Sequence, residues 1–410
     1  MGKDVSIKQV QKFILYKQGL RTQDPPESIL KLIKNIHNVQ IDTISVVARS
    51  QDLVLYNRLP DYKERDIWKL ERDKKLFEYF SHRLCLIPIE EYPFYKWIIE
   101  YRQKNPGNWT KNWLKDNKNI VDNVYNYIKK NGETCSSDFK SNNKAIREGW
   151  WELKAENLAL KHLFHSGKLL ISYRKGFQRY YDLTERVIPS NTDTEPMDKN
   201  NLPDHILDLT ISALGIVSSN EIFNYLGEIF PKIVWDGKKA MLNKYLSDRI
   251  KEGTIETINL ESLKDQYYIL KDEYDQLINQ NSEHQEDLQV KFLTPFDNII
   301  RDRYFPQNIW NFDYTLEAYV QKAKRKFGFF CLPILDNYDL VGFMDAKAYR
   351  KEKKLDLISI YINKETDANF PFRFAEGIKN FAQFHRCPEI DIGNVYPNKI
   401  KNSIISEIKM

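Results

Sequence analysis

Apolar residues recur at every third or fourth position through the first half of this chain, and shift to alternating or continuous short runs in the second half, so helices are expected to dominate early and strands late. Ile7, Val10, Phe13 and Ile14 line one side of a helix over residues 6–16 that stops at Gly19. Ile29, Leu32, Ile33 and Ile36 do the same over 28–38, after the turn Asp24-Pro25-Pro26-Glu27. Between 38 and 59 the pattern changes: Gln40, Asp42, Arg49 and Gln51 stand inside an otherwise apolar run. Ile44, Val47, Ala48 and Leu55 keep helical spacing, which predicts a helix over residues 43–55. An acid at its start needs no chemistry, because an N-cap is worth about 0.5–2 kcal/mol and Asp42 stands where one is wanted. Gln40 falls outside that explanation. Two residues ahead on an extended lead-in, its amide would share a side with the Asp42 carboxylate.

Further along, segments 61–70 and 73–79 lead to the apolar run 81–88, which is headed by His82. A lone histidine there is commonly a packed, hydrogen-bonded residue. Residues 121–190 have the order of a winged helix: a helix over 121–130, a turn at Asn131-Gly132-Glu133, a helix start at 136–139, and a long helix over 150–166. Two strands then run over 168–174 and 177–183, joined by Lys175-Gly176. The hairpin is basic at its tip, so Arg174, Lys175 and Arg179 suit phosphate contacts. Its aromatics, Tyr173, Phe177, Tyr180 and Tyr181, either pack on the long helix or stack on bases. The polar stretch 191–201 reads as a domain boundary. Residues 202–270 then repeat the element order, with helices over 206–214, 222–226 and 235–251, a capping signal at 218–221, and strands at 254–259 and 267–270. No sequence period links the two units.

After the acidic, Gln-rich segment 279–289, strands are expected at 329–335, 340–343, 355–362 and 389–392. The turn Thr294-Pro295-Phe296-Asp297 lies beside Arg301 and Arg303. It either offers Phe296 and Asp297 to a base while the arginines hold phosphates, or is locked by an Asp–Arg pair. The basic cluster at 322–326 is a backbone contact or a solvated face. The fold class is therefore α+β: helix-turn-helix (winged-helix) units over 1–115, 116–190 and 202–275, then a β-rich, barrel-like domain over 288–410.

Composition narrows the function classes. With 410 residues the chain exceeds one ordinary core. Its 42% hydrophobic and 29% charged residues describe a folded protein, and a net charge of +5 favours polyanions only weakly. Cys85, Cys135, Cys331 and Cys387 are far apart with no CxxC pairing, which predicts neither a zinc site nor a disulfide framework and fits a reducing cytoplasm. The first twenty residues lack the apolar core of a signal peptide, and no run approaches a membrane span. There is no Gly-rich phosphate loop, no HExxH and no Ser-His-Asp spacing, so ATP use, zinc hydrolysis and serine acyl transfer lack support.

The stretch Gln40-Ile41-Asp42, followed by Val47-Ala48-Arg49-Ser50, resembles the catalytic segment of the bacterial winged-helix DNA glycosylases of the AlkZ and YcaQ kind, in the version with Gln-apolar-Asp. Further similarities follow in order: Tyr79-Phe80-Ser81-His82, residues 178–186, Thr294-Pro295-Phe296-Asp297 and Leu316-Glu317-Ala318-Tyr319-Val320. One departure is Gln51, where the family often has His. The resemblance implies three tandem winged-helix units and a monofunctional glycosylase that acts on duplex DNA carrying N7-alkylated purines, interstrand crosslinks included. It implies Gln40 and Asp42 as catalytic residues, and Arg49, Ser50, Gln51, His82, Arg174, Lys175, Arg179, Phe296, Asp297, Arg301 and Arg303 as DNA-facing ones. It implies no metal or organic cofactor, a monomer, no membrane partner and a cytoplasmic, nucleoid-associated location. A non-catalytic winged-helix regulator fits the composition and element order equally, and only Gln40 to Asp42 separates the two readings.

Overall fold

The computed structural model describes residues 3–139, 155–260, 263, 265–279 and 289–409. The expected helical residues 150–154 and most of the acidic segment 279–289 lie outside the described residues. The chain forms two compact units: one holds the chain up to Tyr62, Ile206–Tyr225 and everything from Lys239 on, the other holds Lys63–His205 and Leu226–Lys238. Among the described residues no helix is long and apolar enough to cross a membrane.

In the first unit, local signals set the helix starts. Ser6 caps Ile7–Lys17 with a full capping box, its Oγ accepting from Gln9 N at 3.3 Å while Ser6 N donates to Gln9 Oε1 at 2.9 Å. Ser28 caps Ile29–Ile36 with a single bond, its Oγ accepting from Lys31 N at 3.1 Å. Ser218 and Glu221 form the box that starts Ser219–Asn224. The helix Lys239–Lys251 then leads into the antiparallel strands Ile255–Asn259 and Tyr267–Leu270. Val217–Ser218 pairs beside Tyr267–Leu270, and Lys3–Asp4 runs parallel to Ile255–Asn259 on the far edge. This is the helix, strand, helix, helix, strand, strand order of a winged helix. The helix expected over 235–251 begins only at Lys239, because Trp235 ends a separate helix, Ile229–Trp235 of the second unit, and Asp236 and Gly237 both take positive φ.

The C-terminal part of this unit is a five-stranded sheet in the order Lys291–Phe292, Leu332–Asp336, Asp339–Tyr349, Lys354–Ile362, Glu389–Tyr396. All neighbours are antiparallel except the last two, and a parallel pair needs a crossover. The helix Phe370–Phe384 supplies it, burying Phe370, Phe374, Ile378 and Phe381 against Phe292, Leu332, Ile334 and Leu357. Among the described residues the first and last strands of this order do not pair, so the β-rich layer is a sheet, backed by Phe370–Phe384.

The second unit carries the hairpin Leu76–Phe80 and Leu84–Pro88, the helices Glu64–Arg72, Tyr92–Lys104, Asn108–Asn131 and Ala155–His165, and the wing strands Leu169–Lys175 and Gln178–Leu183. The wing turn is Gly176-Phe177, both at positive φ, one residue further on than its basic residues suggest. Gly167 ends the helix Ala155–His165 at φ +68°, and a Cβ there would meet Ile99 Cγ2 at 2.2 Å. Phe94 and Phe230 stack at 4.2 Å and join Ile229–Trp235 to Tyr92–Lys104.

Candidate active site

The Gln40 to Asp42 motif begins where the helix Ile29–Ile36 ends. His37 takes φ +67°, which turns the chain into the short strand Val39–Gln40. Asn298 Nδ2 donates to the carbonyls of Ile36 at 3.0 Å and Asn38 at 3.4 Å, and Tyr225 Oη donates to Ile36 O at 3.0 Å, so this lead-in is fixed from two other segments. Gln40 is buried, and the strand ends there, so the shared-side argument does not carry on to Asp42. Asp42 is half-buried, and its Oδ1 accepts from Ile44 N at 2.7 Å. That is an Asx turn within the loop, not a helix cap. Oδ2 has no partner among the described residues.

The helix expected over 43–55 is confined to Ser50–Tyr56. Its missing turns have a tertiary cause. Ala348 N donates to Val46 O at 3.2 Å and Arg350 Nη2 to Val47 O at 2.5 Å, so the two carbonyls that an uninterrupted helix would offer to Ser50 N and Gln51 N are held instead by the end of the strand Asp339–Tyr349 and the turn after it. Val47 and Ala48 are buried in the C-terminal sheet's core. Arg49 is half-buried, its carbonyl accepting the first helical bonds, from Asp52 N and Leu53 N at 3.1 Å. The loop 41–49 is thus an irregular segment pinned at both ends, which fixes a polar side chain better than a free loop would.

Residues 292–301 clamp the helix that follows. Thr294 Oγ1 donates to Ser50 Oγ at 3.3 Å, Asn57 Nδ2 donates to Phe292 O at 2.8 Å, and Arg58 closes a two-bond fork on Asp297 at 2.7 and 2.9 Å. Asp297 is therefore a buried structural carboxylate, which corrects its expected place beside a base. The turn is locked by an Asp–Arg pair, but with Arg58 rather than Arg301 or Arg303. Ser50 is fully buried in the same contact, so its expected DNA contact is also corrected. Phe296 packs half-buried toward Phe330, at 6.0 Å between centroids. Gln51 is fully buried, and neither of its amide atoms has a protein hydrogen-bond partner among the described residues. The Arg301 guanidinium lies 4.3 Å over the Tyr225 ring and its Nη2 donates to Tyr225 O at 3.1 Å, while Arg303 is exposed beside Tyr304.

In the second unit Lys175 stands exposed at the wing tip and Arg179 half-exposed on the return strand. Arg174 is a correction: its side chain is buried and forks on Glu78, Nη2 reaching Oε2 at 2.6 Å, with its guanidinium 4.4 Å over the Phe177 ring. It holds the wing to the hairpin Leu76–Phe80 and Leu84–Pro88, and is not free for phosphate. His82 is half-buried in that hairpin's turn, its Nδ1 3.9 Å from Cys85 Sγ, and the backbone of Gly227 lies so close that a Cβ there would meet His82 Cα at 2.8 Å.

A family model for AlkZ-like DNA glycosylases matches residues 33–368, from the helix before the motif to the last described residues ahead of the crossover helix. The chain belongs to that family. It is a DNA glycosylase, and the non-catalytic regulator reading gives way. Among solved structures it is similar to the DNA glycosylase AlkZ of Streptomyces sahachiroi, at 14% identity and a TM-score of 0.64, over 96% of this chain and 100% of that one. At that identity the likeness concerns the fold.

Sequence reasoning missed Arg58, Asn298 and Tyr225, which position this glycosylase's motif, and Glu78, which holds Arg174 of the wing. Glu71 is buried next to Glu78, and burial, then the neighbouring Glu78 charge, pushes its carboxyl well above the ordinary value of 4.5. The folded chain therefore keeps a proton that the unfolded chain loses, so stability present below about 4.5 is lost as pH rises toward the raised folded value. Glu71→Gln supplies a permanent donor toward Glu78 and removes that loss. Unfolding midpoints of the two proteins should diverge in favour of the variant from pH 5 upward; parallel pH profiles would contradict this account.

Proposed function

We propose that this glycosylase hydrolyses the N-glycosidic bond of N7-alkylated purines in duplex DNA, those in interstrand crosslinks included, and leaves an abasic site without cutting the strand. Alkylation at N7 makes the purine a cation, so it departs with the bond's electron pair and needs no proton from a strong general acid. The sugar becomes an oxocarbenium ion. A fixed carboxylate near its anomeric carbon stabilises charge that exists only in the transition state. Asp42 is assigned that role. Water then bonds to the anomeric carbon and loses its proton toward the same carboxylate, while the Gln40 amide orients the water; an amide cannot itself act as base.

The observation that supports this reading is the half-buried Asp42 in a pinned loop, with one oxygen held by Ile44 N and the other unengaged among the described residues. A residue that merely closed a turn needs no such anchoring of the loop around it. The motif run 38–59 contains no lysine, so no Schiff base forms there, which supports base release without strand scission. DNA is held at Arg49, Lys175, Arg179 and Arg303, which are half-buried or exposed, whereas Arg174 is engaged by Glu78 and Arg301 by Tyr225.

The test is base release from duplexes that each carry one defined lesion. Release from N7-methylguanine is expected, with an abasic product that breaks only on later alkaline treatment and a rate unchanged by EDTA. A crosslinked duplex should yield separated strands on a denaturing gel. Release from other damaged bases but none from N7-alkylpurines would overturn the substrate assignment and leave the glycosylase in place.

A further inference from the structure

The second unit contains a cavity of about 360 Å³ between the end of Tyr92–Lys104, the start of Asn108–Asn131 and the outer side of Ala155–His165. That is ample for a nucleotide-sized ligand. Trp109 and Trp113 line it, four residues apart and so on one helix face. Their rings are within 11° of parallel, with centroids 6.4 Å apart. Trp113 is half-buried and holds the platform in place, whereas Trp109 is 63% exposed, a large apolar surface with nothing over it among the described residues.

Apart from the apolar Pro106, Leu158 and Ile229, the remaining lining is mostly polar and carries several basic side chains. Arg102, Lys161, His162 and His165 contribute to it, and among the described residues no carboxylate does. Lys161 is exposed. Arg102 lies 4.5 Å over the Phe80 ring, its buried Nε has no hydrogen-bond partner among the described residues, and burial pulls its pKa down, as expected of a guanidinium short of a counter-charge. Burial lowers the pKa of His162 as well and brings that of His165 to about 4, so both rings are neutral near pH 7 and offer one donor and one acceptor each. An exposed stacking platform, cations without acids, and neutral polar groups match the two faces of a nucleotide: a flat base and an anionic phosphate. An acidic peptide would use the cations and leave the paired indoles idle.

We propose that this cavity binds an unpaired nucleotide within a single strand, with its base stacked on the Trp109 and Trp113 pair and its phosphate at Lys161 and Arg102. The site lies in a different compact unit from the motif loop and does not depend on which lesion that loop acts on. Base–aromatic stacking tolerates every base, so the site favours single strands without reading their sequence.

The test uses the full chain, titrated with a twelve-residue oligothymidylate in the presence of saturating undamaged duplex, so that duplex-binding surfaces are already occupied. Tryptophan fluorescence should quench to saturation, and the affinity should fall as salt rises. Trp109→Ala and Lys161→Glu, both at exposed positions, should each weaken this binding by roughly tenfold or more. Base release by Trp109→Ala from a damaged duplex should match that of the native chain. The proposal is overturned if both variants bind oligothymidylate like the native chain, if the native chain does not bind it under these conditions, or if polyglutamate of matched charge displaces it as well as a second oligonucleotide does.

Discussion

Replacing Arg58 by alanine is expected to destabilise the unit that carries the motif loop by about 3–5 kcal/mol. The guanidinium and its partner Asp297 are both fully buried. Besides the fork on Asp297, Arg58 Nε donates to Gln18 O at 2.7 Å, Nη1 to Val54 O at 3.1 Å and Nη2 to Gln18 Oε1 at 3.3 Å. Truncation leaves the Asp297 charge buried with Ile299 N at 3.3 Å as its remaining donor, and strands the Gln18 carbonyl. Lysine should not rescue the loss, because one ammonium cannot reproduce the planar fork. Urea unfolding followed by circular dichroism measures the effect. A shift worth less than about 1 kcal/mol would place the pair among those that contribute little.

The same pair shows where sequence reading stops. Arg58 and Asp297 are 239 residues apart, and so the chain shows a Pro-Phe-Asp turn with two nearby arginines, while the arginine that matters comes from the opposite end. Arg174 and Glu78 repeat the lesson across 96 residues: a cation at a hairpin tip reads as a phosphate contact until its buried acid is seen. The observed motif helix is shorter than its expected span for a related reason, since the period of Ile44, Val47 and Ala48 reports burial correctly but not that the loop's carbonyls are taken by residues 348 and 350. What was legible depends on neighbours in sequence. The helix over 6–16, the capping signal at 218–221, the wing pairing of Leu169–Lys175 with Gln178–Leu183, and the C-terminal strands each follow from a few adjacent residues. The crossover helix Phe370–Phe384 is absent from the sequence expectation, and its buried face is set by the sheet it covers.

Asp42→Asn is expected to lower the rate of base release by roughly a hundredfold or more. The substitution is informative because of the contact Asp42 makes. Its Oδ1 accepts from Ile44 N, and the amide oxygen of asparagine can accept the same bond, so the Asx turn and the loop around it persist. The half-buried position tolerates an isosteric amide. What asparagine cannot supply is a negative charge facing the developing oxocarbenium ion, or an acceptor for the proton of water. The loss should therefore fall on the chemical step, with DNA affinity and the unfolding midpoint close to native. The most direct measurement is the single-turnover rate of base release from a duplex with one N7-methylguanine, for the native chain and Asp42→Asn side by side, with duplex affinity and unfolding measured on the same preparations. A hundredfold or greater drop in rate with both controls unchanged is the predicted result; equal rates would reduce Asp42 to a turn residue and contradict the account.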